Sequence, residues 1–421
     1  MQFAAKLKGW AQVAATVALV SLVAACGGGG GSSSGSSNSS SGSNALPASP
    51  GATPVPATAG NTAPITVGPG VANVINIPTV TVTVCVPGTT SCQAIPNVQV
   101  DTGSYGLRIV SSALTTVNLP TVAAPTVPSQ QLVECTNFAD GFSWGSVRTA
   151  TVQIGGETAT SIPIQVLGDV SFNVPAGCAS GAEENTASAI GANGILGVGV
   201  APVDCGTTCA SSTTFAQFSN YYACSGASCT TTQVPTTSQV ANPVAHFADN
   251  NGVIVEMAPV SNNGSASATG TLVFGIGTAS NNALAASQIF TTDAFGDLNN
   301  STFNGSKLSA FFDSGSNAYF FADSTLPLCG SNFSGFYCPM SGQTRTVNVV
   351  GLNNASASAN MGILSAATLF SNVNNYAFND LAGQVGVANS FDIGLPFFYG
   401  RYMYFGIDQT ANGGQAPYVG Y

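Results

Sequence analysis

Charged side chains are scarce in this chain. Only 6% of its 421 residues are Asp, Glu, Lys or Arg. Lys and Arg total 7 against 17 acids, and no basic patch is visible, which argues against a nucleic-acid partner. Histidine occurs once, as His246. One imidazole with no acid cluster around it leaves no basis for a Ser-His-Asp triad or a histidine-based metal site. A structural place in a short helix over residues 242–250 is expected for it. Helical character is otherwise rare. Short runs of β-branched residues set among Gly, Ser, Thr, Asn and Ala make this a β-rich composition. A chain poor in charge can be disordered, but disorder comes with few apolar residues, and 44% here are hydrophobic. The length allows a large domain or two lobes with substantial cores.

The chain starts with a targeting segment over residues 1–25. Lys6 and Lys8 supply a positive start, and an apolar run follows over residues 13–25, short for a membrane span. Val23-Ala24-Ala25-Cys26 resembles a bacterial lipobox. That resemblance implies cleavage before Cys26, lipid attachment at Cys26, and membrane contact through that anchor. Gly27 is not the Asp that favours inner-membrane retention, so an outer-membrane lipoprotein is expected. Residues 26–61 read as a tether. Gly, Ser and Asn fill it to Asn44, and Pro47, Pro50, Pro54 and Pro56 stiffen the rest. Such a linker spans on the order of 30–40 Å at rest.

Besides Cys26 there are ten cysteines, an even number that implies disulfides in an exported chain. Cys85 and Cys92 flank a turn-like Val86-Pro87-Gly88-Thr89-Thr90-Ser91, and Cys329 and Cys338 can close a second loop. Cys205, Cys209, Cys224 and Cys229 can pair in three ways, which leaves Cys135 and Cys178 for each other. The spacings form no paired C-x-x-C units, so no metal is expected, and no cofactor.

Strand periodicity is clear where Val80, Val82, Val84 and Val86 alternate with Thr79, Thr81, Thr83 and Cys85. The chain then reverses and a second strand ends at Asp101-Thr102-Gly103-Ser104. A near-copy, Asp313-Ser314-Gly315-Ser316, follows Leu308-Ser309-Ala310-Phe311-Phe312. One Asp-x-Gly is ordinary turn chemistry. Two copies with the same neighbours, in a chain with so little charge, point to two halves that each bring a carboxylate to a shared centre. Downstream of each copy lies an apolar run broken by glycine: Gly194-Ile195-Leu196-Gly197 and Phe391-Asp392-Ile393-Gly394. This reads as a drifted internal duplication. Residues 138–145 read as a turn, followed by a strand over 146–155. Trp144 and the run of Phe397, Phe398, Tyr399, Tyr402, Tyr404 and Phe405 read as core and strand-face residues.

In this order the pieces resemble a pepsin-like aspartic peptidase from about residue 70 to the end. The resemblance implies a mostly β, bilobal pepsin-like fold with two related antiparallel β lobes, at 62–268 and 269–421, and a central cleft. It also implies that Asp101 and Asp313 share a proton across a water, because two like charges so close do not both ionise easily. Thr102 and Ser314 would brace the loops, Ser104 and Ser316 would bond the carboxylates, and Gly103 and Gly315 would allow close approach. The family's flap tip resembles Phe138-Ala139-Asp140-Gly141, with Phe138 where a Tyr is usual. Arg108 stands where a supporting Trp is usual, and Tyr105 is a candidate for a displaced phenol. The expected activity is hydrolysis of a peptide or protein substrate by a monomer. The alternative is an inactive relative that uses the cleft to bind peptides, glycans or a protein partner. The lipobox and tether also resemble those of uncharacterised proteobacterial lipoproteins grouped as a domain of unknown function.

Overall fold

The computed structural model describes residues 46–138, 141–179, 181–384 and 389–421. Cys26, Asp140 and the first part of the tether lie outside them. Among the described residues no helix is long and apolar enough to cross a membrane.

The first half is built on a closed ring of strands. Thr79–Cys85 pairs with Cys92–Asp101, which pairs with Gly194–Val198, and that strand with Tyr105–Val110. Tyr105–Val110 pairs with Glu157–Leu167, then Gly141–Ile154, which returns to Thr79–Cys85. The alternation seen in the sequence explains the first strand: Val80, Val82 and Val84 are buried, and Thr81 is exposed. Each buried valine contributes on the order of 1.5–3 kcal/mol. Among the described residues the second half is a sheet of seven strands. Its centre, Leu298–Phe303, Ser306–Asp313, Ser390–Gly394 and Tyr319–Phe321, repeats the order of the first half. A further antiparallel series draws on both halves: Thr62–Val67, Ala268–Phe274, Gly252–Met257, Tyr402–Gly406, Tyr418–Gly420 and Ile289–Thr291.

Five disulfides join Cys85 to Cys92, Cys135 to Cys178, Cys205 to Cys209, Cys224 to Cys229, and Cys329 to Cys338. The four crowded cysteines thus pair with their nearest neighbours in sequence. Cys224 and Cys229 face each other across a short hairpin.

Three local expectations are corrected. The tether was expected to run free to residue 61, yet its last part lies against the body. Ala52 N–H donates to Gly400 O (3.1 Å), Val55 N–H to Glu256 Oε2 (2.7 Å), and Thr271 Oγ1 to Val55 O (2.6 Å). Prolines fix this stretch extended, so few conformations are lost when it docks. The turn expected over 138–145 is shorter. Residues 142–145 are already strand, with Cys135 opposite Trp144 and Asn137 opposite Phe142. The helix expected over 242–250 is a single 3-10 turn, Pro243–His246, and His246 is exposed at its end.

Candidate active site

Asp101 and Asp313 each end a strand, Cys92–Asp101 and Ser306–Asp313. A glycine-containing strand lies parallel beside each. Gly197 is opposite Asp101, and Gly394 is opposite Asp313. These inserted strands fix where each loop leaves its sheet.

The two loops grip each other. Thr102 N–H donates to Ser314 Oγ (3.1 Å), and Ser314 N–H donates to Thr102 Oγ1 (2.9 Å). Each hydroxyl passes its own proton across to the opposite strand, Thr102 to Phe312 O (3.2 Å) and Ser314 to Val100 O (2.7 Å). Gln99 adds a further link, donating to Gly315 O (2.8 Å). Buried hydrogen bonds of this kind are individually modest, but each leaves a costly orphan if one partner is removed.

Each carboxylate is also held inside its own loop. Gly103 N–H donates to Asp101 Oδ1 (2.7 Å), and the Ser104 hydroxyl donates to Asp101 Oδ2. Gly315 N–H donates to Asp313 Oδ1 (2.8 Å), and Ser316 Oγ lies 3.0 Å from Asp313 Oδ2. The glycines are required by crowding. A Cβ on Gly103 would lie 2.4 Å from Asp313 Cγ. A Cβ on Gly315 would lie 2.5 Å from Asp101 Oδ1 and 3.0 Å from Asp313 Oδ1. One point on the second loop therefore touches both carboxyl groups. Both aspartates are buried, at 5% and 1% exposure.

The region of the expected flap is built differently from the resemblance. The resemblance puts Phe138 at the flap tip. It is instead buried against Val110, Leu167, Ile190, Ala192 and Ile195, as an apolar ring without a hydroxyl favours. Gly141 follows at the start of the returning strand, where a Cβ would lie 2.3 Å from Ala182 O. Arg108 is fully buried in a polar network in place of aromatic packing. It donates to Glu134 Oε1 (2.7 Å), Thr136 Oγ1 (3.0 Å) and Tyr105 O (2.7 Å), and lies 3.5 Å from Asp204 Oδ2. Tyr221 donates to Asp204 Oδ1 (2.6 Å) and accepts from Val240 N–H (2.6 Å). Burial first, and then the like charge of Glu134, push the Asp204 carboxyl well above the usual carboxylate range. Its proton lets Arg108 and two acids coexist without a net charge.

Tyr105 is buried, and its hydroxyl donates to Phe295 O (2.5 Å). Burial, then the negative fields of Asp293, Asp101 and Asp313, push its phenol well above 10, so it stays neutral. Asp392 was missed as a site residue. It is 1% exposed and its Oδ2 lies 2.6 Å from Ser316 Oγ. The available signal was an acid inside the otherwise apolar run from Phe391 to Phe398. Glu134 and Asp204 carried no signal, because no local pattern ties them to Arg108. Among the described residues no three His, Cys, Asp or Glu side chains are grouped to hold a metal ion.

The family described as "Protein of unknown function (DUF3443)" matches residues 57–421. No curated protein matches the chain. Among solved structures, the crystal structure of the aspartic proteinase from Irpex lacteus is similar in fold, with a TM-score of 0.51 at 18% identity. The likeness covers 85% of this chain and 96% of that one. The fold is thus bilobal, mostly β and pepsin-like.

Proposed function

Starting from the chain's membership of the DUF3443 family, whose description carries no activity, we propose that it is an aspartic endopeptidase with Asp101 and Asp313 as its dyad. The observation that carries this reading is the reciprocal crowding of the two loops, each glycine pressed on the other loop's carboxyl. Two buried carboxyls this close favour one shared proton. The ionised member takes a proton from a water as that water attacks a peptide carbonyl. The protonated member gives its proton to the carbonyl oxygen; the proton taken from the water then passes to the departing nitrogen, and the carboxylate that gave its proton recovers it as the new carbonyl forms. The crossed Thr102 and Ser314 bonds keep the loops from moving apart as charge shifts between them. No cofactor is needed for these steps.

The full-length protein is expected to cleave denatured protein between about pH 3 and pH 7, the range in which a proton-sharing pair works. Asp101→Asn and Asp313→Asn are each expected to lower the rate by at least about a thousandfold, since they remove a group that acts on the reacting atoms. A folded wild type that cleaves nothing sinks the peptidase reading. A second reading is then favoured by the buried Phe138 and the Arg108 network: a pepsin-fold protein that binds peptides, glycans or a protein partner without cutting.

We further propose that Cys26 carries a lipid and places the protein in the outer membrane, on the strength of Val23-Ala24-Ala25-Cys26. Cells given labelled palmitate should label the wild type. Cys26→Ser should stay unlabelled, and label on that variant would refute the anchor.

A further inference from the structure

Two serines occupy equivalent places in the two loops, and their surroundings differ. Ser104 Oγ has Asp101 as its side-chain partner. Ser316 Oγ lies between two acids, 3.0 Å from Asp313 Oδ2 and 2.6 Å from Asp392 Oδ2. The strand registers show what Asp392 replaces. Ile195 stands opposite Gln99, two residues before Asp101, and Asp392 stands opposite Phe311, two residues before Asp313. In the first half that position is an isoleucine in an apolar cluster, and in the second it is a buried acid. Burying a carboxyl there is costly unless it is bonded, and it is bonded to a residue of the candidate site.

A hydroxyl carries one proton and can donate it to one acceptor. Set between two carboxyl groups, Ser316 serves one as donor, and the other contact needs a proton on the carboxyl itself. We propose that Asp392 is a positioning residue of the Asp101–Asp313 centre. Protonated, it donates to Ser316 Oγ, commits the Ser316 hydroxyl to Asp313 Oδ2, and holds Asp313 as the ionised member of the pair. This rests on the peptidase reading above. When Asp392 loses its proton to solvent, Ser316 turns to Asp392. Asp313 then loses a donor and gains a negative neighbour. No covalent bond other than O–H changes.

The elements around Asp392 allow this. The strand Ser306–Asp313 contributes Asp313, and the adjoining first loop contributes Asp101. Tyr319, on the neighbouring strand Tyr319–Phe321, is held neutral by burial, and the charges that act on its phenol are those of Arg401 and Asp380. The following turn, Leu395–Phe397, carries no titratable group.

The test uses the full-length protein with D392N, D392I and S316A. The Asn amide is a permanent neutral donor to Ser316, whereas Ile restores the apolar side chain of the other half. D392I and S316A are expected to lower kcat about tenfold, the size of one charge-assisted hydrogen bond, with KM changed less than about twofold. D392N is expected to retain more activity than D392I and to carry it about one pH unit higher, because its donor never titrates. Equal kcat and equal pH profiles for wild type, D392N and D392I would overturn the proposal. A second readout does not need turnover: the infrared carbonyl band of protonated carboxyl groups, followed from pH 4 to pH 8. D392N should remove one such band, and S316A should shift it. If the wild type cleaves nothing but D392N still removes the band, the peptidase reading fails while the protonated Asp392 relay stands. If D392N leaves the band intact, the relay fails whatever the activity.

Discussion

Asp380 links one residue to the stability of the fold. It is buried, its Oδ2 has no hydrogen-bond partner, and a Cβ on Gly362 would lie 2.1 Å from its Oδ1. Burial pushes its carboxyl up to about 7. An acid raised by folding keeps its proton in the native state and gives it up more readily when unfolded. Stability therefore falls as pH rises from about 4, the unfolded value, to about 7, and is level above that. Asp380→Asn removes the ionisation. It should raise stability by about 4 kcal/mol at pH 8, about three pH units at about 1.4 kcal/mol each, and by much less near pH 4, as read from denaturant unfolding at the two pH values. An equal effect at both would show that Asp380 does not titrate in this range. At this scale the candidate site was readable where it repeats. Asp101 and Asp313 announce themselves because each has the same hydroxyl and glycine neighbours. Asp392 does not repeat, since its counterpart is Ile195, and only strand pairing places it beside Ser316.

Among the elements, the hairpin of Val127–Asn137 and Gly141–Ile154 is held by a charge, from the Arg108 that stands where the resembled family usually has a Trp. Arg108 ties Glu134 and Thr136 on the first strand of that hairpin to Tyr105 beside the first loop. Arg108→Met should cost about 3–5 kcal/mol, because it leaves a buried Glu134 charge without its partner. Glu134→Gln combined with Arg108→Met should recover part of that loss, and a thermal or denaturant series over the three variants measures it. No recovery in the double variant would mean that Arg108 acts by packing alone. Sequence pattern located most strands, since alternation of Val with Thr is a local property. It misjudged 142–145 because Gly141 and Gly145 look like turn residues. Both are glycine for close contact instead: a Cβ on Gly145 would lie 1.9 Å from Val166 O. The disulfides reinforce single elements. Four close loops with sequence separations of 4 to 9, and only Cys135–Cys178, at 43, restrains a long one.

Across the whole molecule the two halves are clasped at more places than the loops. Asn76, with φ of 52°, donates to Asn317 O (2.7 Å) and Phe378 O (2.9 Å), and accepts from Phe378 N–H (2.8 Å) and the Tyr399 hydroxyl (2.9 Å). Asn76→Ala removes all four bonds and places alanine in a left-handed conformation. It should destabilise the protein by about 3–5 kcal/mol in denaturant unfolding, and a loss under about 1 kcal/mol would show that water takes over the bonds. The bilobal plan was legible because the duplication survives in sequence. The docking of residues 46–61 was not, since Pro, Ala and Thr read alike whether tethered in solvent or laid on a sheet. The strand series that draws on both halves has a consequence for synthesis. Thr62–Val67 waits for Ala268–Phe274, more than two hundred residues later, and Ile289–Thr291 waits for Tyr418–Gly420. A nascent chain emerging from its N-terminus therefore holds unpaired apolar edges until nearly all of it has been made, and the two aspartates meet only late in that process. Any chemistry that needs both aspartates therefore waits until both halves have been made, so the order of manufacture itself would delay it.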